Sequence, residues 1–241
     1  MVSETKLKPY SKTDYPMLEE PKYIRFKFRK VGNLQFISHL DLQKAMAKVL
    51  VRAKAPLWYS KGFNPHAKLV FGVPLSVGTE SMCEMADLKI ERQIDLENIK
   101  NQLNEQLTDE MYVLEAYYPT TKFNDIAYAD YTITLKSDKI SADDAEKITS
   151  LFSSPVTMTK RSKSGEKEVD ITAYIKKLDA SVDGNVITIN TILSAGSQEN
   201  LNPEYIVTAI KNNCDFFSAS ADESYRIMRN KVYDKYLVEF K

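Results

Sequence analysis

Residues 23–53 read YIRFKFRKVGNLQFISHLDLQKAMAKVLVRA, and the hydrophobic period changes inside them. In 23–29, Ile24, Phe26 and Phe28 alternate with Arg25, Lys27 and Arg29. Period two marks a strand with one buried face. Gly32 and Asn33 turn the chain. From Ser38 to Ala53, Leu42, Ala45, Met46, Val49, Leu50 and Ala53 follow i, i+3, i+4 spacing, which predicts a helix. Ser38 followed by Asp41 is a capping-box pattern, and Pro56 ends the element. Lys44, Lys48 and Arg52, spaced by four, form a basic stripe on its outer side.

Outward from this unit, 67–73 and 82–92 read as strands, 95–107 as a helix and 111–118 as a strand. The order β-α-β-β-α-β is the ferredoxin-like unit. The second half repeats it. Residues 129–137 form a strand and 141–152 a helix capped by Ser141. A hairpin over 155–171 turns near Ser164-Gly165, and 183–193 form another strand. A helix over 202–213 has Asn202 as cap and Pro203 at its first position, and 223–233 supply the last strand. Residues 171–178 read equally as strand or short helix. The expected fold is α+β: two tandem ferredoxin-like halves with antiparallel sheets, at 22–119 and 129–241, after a flexible leader at 1–21.

Composition narrows the function classes. Of 241 residues 43% are hydrophobic, as in a chain with a real core. No apolar run approaches the ~20 residues a membrane helix needs, and residues 1–22 show no secretory signal. The expected location is cytoplasmic, with no membrane partner. Cys83 and Cys214 are too few and too far apart for a zinc CxxC site or an iron–sulfur cluster. Charge is segregated. Residues 22–78 hold eleven Lys/Arg and one acid, Asp41, whereas 79–130 hold twelve Asp/Glu and four Lys/Arg. A basic block suits an anionic partner, or pairs with the acidic segment inside the fold.

Three of the seven glycines and one of the two histidines fall in 59–78, YSKGFNPHAKLVFGVPLSVG. This is not a phosphate loop, because Ala67 replaces the second glycine and Leu69 the hydroxyl residue. His66, His39 and Asp41 are the candidates for acid–base catalysis, though His39 sits in the first turn of a capped helix. His39, Asp41, His66 and Glu84 have metal-ligand chemistry without a spacing motif; no metal and no cofactor are expected. Nucleic-acid binding has more behind it. Arg25, Lys27 and Arg29 would lie on the open sheet face, the surface RNA-recognition modules use. Tyr59, Lys61, Phe63, Asn64, His66 and Lys68 add rings and charge suited to stacking and phosphate contact. Trp58 is either core or platform.

Residues 36–90 closely resemble the radical-SAM-linked protein family, a domain of unknown function. The resemblance rests on Ser38, His39, Leu40, Asp41 and Leu42, then Ser60, Gly62, Phe63, Asn64, Pro65 and His66, then Pro74, Leu75, Gly78, Glu80, Ser81, Glu84 and Asp87. Lys61 stands where Gln is usual, Ala67 where Pro is common, Lys68 where Arg is common, and Thr172 where a later motif has Arg. Similar domains occur alone or C-terminal to cobalamin-binding radical SAM proteins. Their genes tend to neighbour that enzyme, an RNase E/G-type ribonuclease and large-subunit ribosomal proteins, so the resemblance implies a radical SAM partner and a tRNA or rRNA substrate.

Three functional expectations follow. The first is a non-catalytic RNA-binding accessory of a radical SAM enzyme in tRNA or rRNA modification or maturation, with no evident DNA specificity. The second is an RNA-processing or RNA-modifying enzyme subunit using His66 as acid or base. The third is a protein-interaction scaffold docking on the radical SAM partner.

Overall fold

Ile24, Phe26 and Phe28 are fully buried, on a strand longer than its alternation suggests. The computed structural model describes residues 15–162, 165–218 and 220–241. Its first strand, β1, spans Met17–Lys30, so 17–21 are sheet where leader was expected. Arg92 opposite explains this: Met17 pairs with it in register, and its Nη1 donates to the Tyr15 carbonyl at 2.9 Å. Residues 1–14 of that expected leader lie outside the described residues.

The protein is mixed α/β, with four α-helices among the described residues and antiparallel strand pairing. It divides into two compact units. One holds the described residues to Val77, Ser81–Thr121 and Lys241; the other holds Gly78–Glu80 and Lys122–Phe240. The boundaries depart from the contiguous halves expected. Thr121 donates its hydroxyl to the Lys241 carbonyl within the first unit. Within the second, Glu80 takes the Arg226 guanidinium.

In the first unit α1 (His39–Arg52), β2 (Leu69–Phe71), β3 (Thr79–Arg92), α2 (Leu96–Asn104) and β4 (Met111–Tyr117) follow β1. β1 lies between β4 and β3, and β2 pairs with β3. The Ser38 hydroxyl accepts from Asp41 N at 3.1 Å and donates to the Asp41 carboxylate at 2.7 Å, closing the start of α1. Leu42, Met46, Val49 and Leu50 of α1 and Ile99 and Leu103 of α2 pack on Phe26, Phe28, Leu88 and Ile90. Burying each such side chain stabilises by about 1.5–3 kcal/mol.

The second unit runs β5 (Ile126–Lys136), α3 (Asp144–Leu151), β6 (Thr157–Ser162), β7 (Gly165–Asp170), β8 (Ile175–Asp183), β9 (Val186–Ser194), α4 (Glu204–Asn213) and β10 (Ser224–Asp234). Its strand order is β10-β5-β9-β8, with β6-β7 as a separate hairpin. Ser162 pairs with Gly165, so the expected turn lies in residues outside the description. The ambiguous stretch is both things in sequence: a 3-10 turn at Ile171–Tyr174, then β8. Ser141 does not cap α3. Its N–H and hydroxyl donate to the Asp144 carboxylate instead, at 2.7 and 3.0 Å. Asn202 accepts from Glu204 N at 3.1 Å, and Pro203 stands one place earlier than expected, at the cap position of α4. Among the described residues no helix is long and apolar enough to cross a membrane.

Candidate nucleic-acid interface

The edge partner of β3 comes in two pieces. Pro56 to Trp58 run along 91–89: Glu91 N donates to the Pro56 carbonyl at 3.1 Å and Trp58 N to the Lys89 carbonyl at 3.0 Å. The chain then leaves the sheet and returns at Lys68, whose carbonyl accepts from Lys89 N at 2.9 Å, before β2 continues along 88–86. The backbone of Lys89 therefore holds both ends of a nine-residue excursion over 59–67.

The excursion closes on itself. Lys68 N donates to the Trp58 carbonyl at 3.2 Å, Tyr59 bridges Ala67, and Ser60 N donates to the His66 carbonyl at 2.9 Å. The Ser60 hydroxyl accepts from His66 N at 3.1 Å and lies 3.0 Å from its Nδ1. Nδ1 is also 3.4 Å from the Asn64 carbonyl. Both contacts fall on Nδ1, so this nitrogen ties the ring to the loop, and Nε2 has no hydrogen-bond partner among the described residues. Gly62 has φ +141°, a value that side-chain-bearing residues rarely adopt. At the tip the Phe63 side chain is fully exposed, at 112% of its reference area. Lys61, Asn64, His66 and Lys68 are exposed around the loop. Neither Lys61 nor Lys68 has an ion-pair partner among the described residues.

Trp58 is half-buried, and the Lys89 ammonium lies 4.4 Å from its ring centroid and 5.8 Å from that of Tyr23. Lys89 and Tyr23 were missed by sequence reasoning. The signal was present, since Lys89 alternates with the buried Leu88 and Ile90 and so faces the other side.

The expected basic sheet face is not available as read. Arg25 is completely buried. Asp87 stands opposite it in register and takes Nε and Nη2 at 2.6 and 2.8 Å. Thr121 also accepts from it, through Oγ1 at 2.9 Å and its carbonyl at 3.0 Å. Nearby, burial pushes the Tyr117 phenol above its ordinary value, although Arg25 pulls it back in part. Arg25 is therefore withdrawn as an RNA contact. Lys27 keeps 17% of its side chain exposed and pairs with Glu115 at 3.5 Å. Arg29 donates to the Asp109 carbonyl at 3.0 and 2.6 Å and covers the Tyr112 ring. On α1, Lys44, Lys48 and Arg52 are exposed as expected, with Arg52 Nη2 bound to the Gln106 carbonyl at 3.0 Å.

The other catalytic candidates stand apart from the loop contacts. His39 Nε2 accepts from the Gln43 amide at 3.0 Å, and its ring meets the edge of Phe71 with centroids 5.5 Å apart. Asp41 is occupied by Ser38 and lies 3.9 Å from Lys44. No group of three or more His, Cys, Asp or Glu able to hold a metal occurs among the described residues.

A family model described as an uncharacterized protein conserved in bacteria (DUF2344) matches residues 23–203. The chain belongs to this family. No curated protein matches it. Among solved structures, a Cbf5-Nop10-Gar1 complex is similar at 10% identity and a TM-score of 0.47, over 93% of this chain and 55% of that one. An unknown protein from Galdieria sulphuraria follows at 7% identity and a TM-score of 0.25, over 87% and 99%. An encapsulated DyP-type peroxidase from Mycobacterium smegmatis gives 8% and 0.19, over 84% and 87%. The chain thus spans about half of the first of these.

Within this DUF2344 chain the motif residues divide by role. Ser38 caps a helix, Asp87 neutralises Arg25, and Glu80, buried in the second unit, pairs with Arg226. Glu84 is buried. Gly78 has φ +87° and supplies a turn before β3. Pro74 is exposed between β2 and β3. Ser60, Gly62, Pro65 and His66 are different, because together they build the exposed loop.

Proposed function

We propose that this chain is a cytoplasmic RNA-binding accessory protein that works with a radical SAM enzyme in tRNA or rRNA modification or maturation. The partner comes from the resemblance in SHLDL and GFNPH. RNA binding rests on one observation: the closed loop 60–66 holds Phe63 in solvent, with Lys61 in the loop and Lys68 at its base exposed and without an ion-pair partner among the described residues. Cations without acidic partners attract phosphate, and an exposed ring stacks with any base. We read each unit as ferredoxin-like. The support is that each presents the order β-α-β-β-α-β, with the first strand between the fourth and third, once the β6-β7 hairpin is set aside.

Titration with total tRNA tests the reading. Binding at low salt that weakens steeply as salt rises is the expected result. No binding at low salt overturns it.

His66 is exposed and its Nε2 has no hydrogen-bond partner among the described residues, which favours a second reading, in which the loop carries an acid or base for RNA chemistry. Incubation of labelled RNA with the protein and with His66→Ala separates the two. Cleavage or modification lost in the variant supports the enzyme. Unchanged RNA in both supports the accessory.

A further inference from the structure

We infer that Phe63 is a stacking residue for an unpaired base, so that the loop takes single-stranded rather than duplex RNA. This rests on the RNA-binding reading above and names the substrate class for the same loop.

The argument starts from the company the ring keeps. Phe63 is fully exposed, and Lys61, Gly62, Asn64, Pro65 and His66 around it are exposed too. An apolar anchor for a protein partner sits within a wider apolar patch that excludes water. Here a single ring stands among an ammonium, an amide and an imidazole. That is the composition of a base platform: a π face for stacking and cations for the flanking phosphates. The Asn64 amide adds a donor and an acceptor suited to a base edge.

Rigidity points the same way. Residues 58–60 and 66–68 are joined by four backbone and side-chain hydrogen bonds of 2.9 to 3.2 Å. These bonds fix the base of the loop before any partner arrives, so the short segment that carries the ring has less freedom to lose on binding than an open chain would. A base inside a duplex already has both faces stacked. A base in a loop or at an end offers a face.

The experiment uses the full chain and a hairpin RNA with 2-aminopurine in its loop, against a duplex of the same sequence. Wild type should change the fluorescence of the loop base and leave the duplex base unchanged. Phe63→Ala should abolish that change and weaken loop binding about 5- to 150-fold, and Phe63→Trp should restore both. If the hairpin binds equally well with Phe63→Ala, the stacking inference falls while the RNA-binding reading stands. Equal response of the duplex also overturns it. If neither RNA binds, both readings fall together. If Phe63→Ala leaves RNA binding intact but loses the radical SAM partner in pull-down, the ring is a protein contact and the inference is wrong.

Discussion

Two basic regions of the first unit were alike in sequence and differ in structure. The outer face of β1 carries Arg25, Lys27 and Arg29; the excursion over 59–67 and its return carry Lys61 and Lys68. On β1 the charge is spent internally. Arg25 goes to Asp87 and Thr121, Lys27 to Glu115, Arg29 to the Asp109 carbonyl. On the loop the charge is left facing water. The difference lies in strand pairing. A residue within a sheet has neighbours at fixed register, and an acidic strand beside it neutralises it. A residue on a loop that leaves the sheet has no register to be matched. Counting charge along the chain therefore overstates what is offered to a partner.

The largest effect should come from breaking the internal side of that contrast. Arg25→Ala leaves the Asp87 carboxylate, only 14% exposed, without its bidentate partner. Removing one member of a buried pair costs about 3–5 kcal/mol. Urea unfolding should show that loss. A change below about 1 kcal/mol would mean the face opens to solvent and could serve a ligand after all.

A smaller effect is expected at the loop. Gly62 has φ +141° with nothing within 4 Å of an added Cβ. Gly62→Ala thus meets no clash, only backbone strain of about 1–3 kcal/mol. An exposed loop relieves strain by rearranging, so the cost should appear in RNA affinity and leave the unfolding midpoint nearly unmoved. The two titrations run side by side check this. A lowered midpoint with unchanged affinity would make the loop a structural element instead.

Much of the scaffold was legible because its signals are local. Ile24, Phe26 and Phe28 alternate and are buried; Leu42, Met46, Val49 and Leu50 keep helical spacing and are buried. What failed was non-local. Arg25 and Asp87 lie 62 residues apart, and only the β1–β3 register brings them together. β8 was obscured because IKKLDASVD holds three charges before its end and lies at the edge of its sheet, where one-sided burial blurs the alternation. The signature loop was visible as a loop. Its closure was not, since the Ser60–His66 contacts depend on two chain segments leaving β3 at the same residue, Lys89.

The smallest effect on stability should decide the most about function. Lys61 and Lys68 are exposed and make no ion pair among the described residues. Replacing both with Ala should change the unfolding free energy by no more than about 0.5 kcal/mol. If they neutralise two phosphates of a single strand, the slope of log K against log salt should fall by about 1.4, at roughly 0.7 per phosphate. The same pair of measurements on Lys27→Ala should give an unchanged slope, since that ammonium already has Glu115. Equal slopes for all three proteins would place the phosphate contacts elsewhere, and the exposed Lys44, Lys48 and Arg52 of α1 would be the next residues to change.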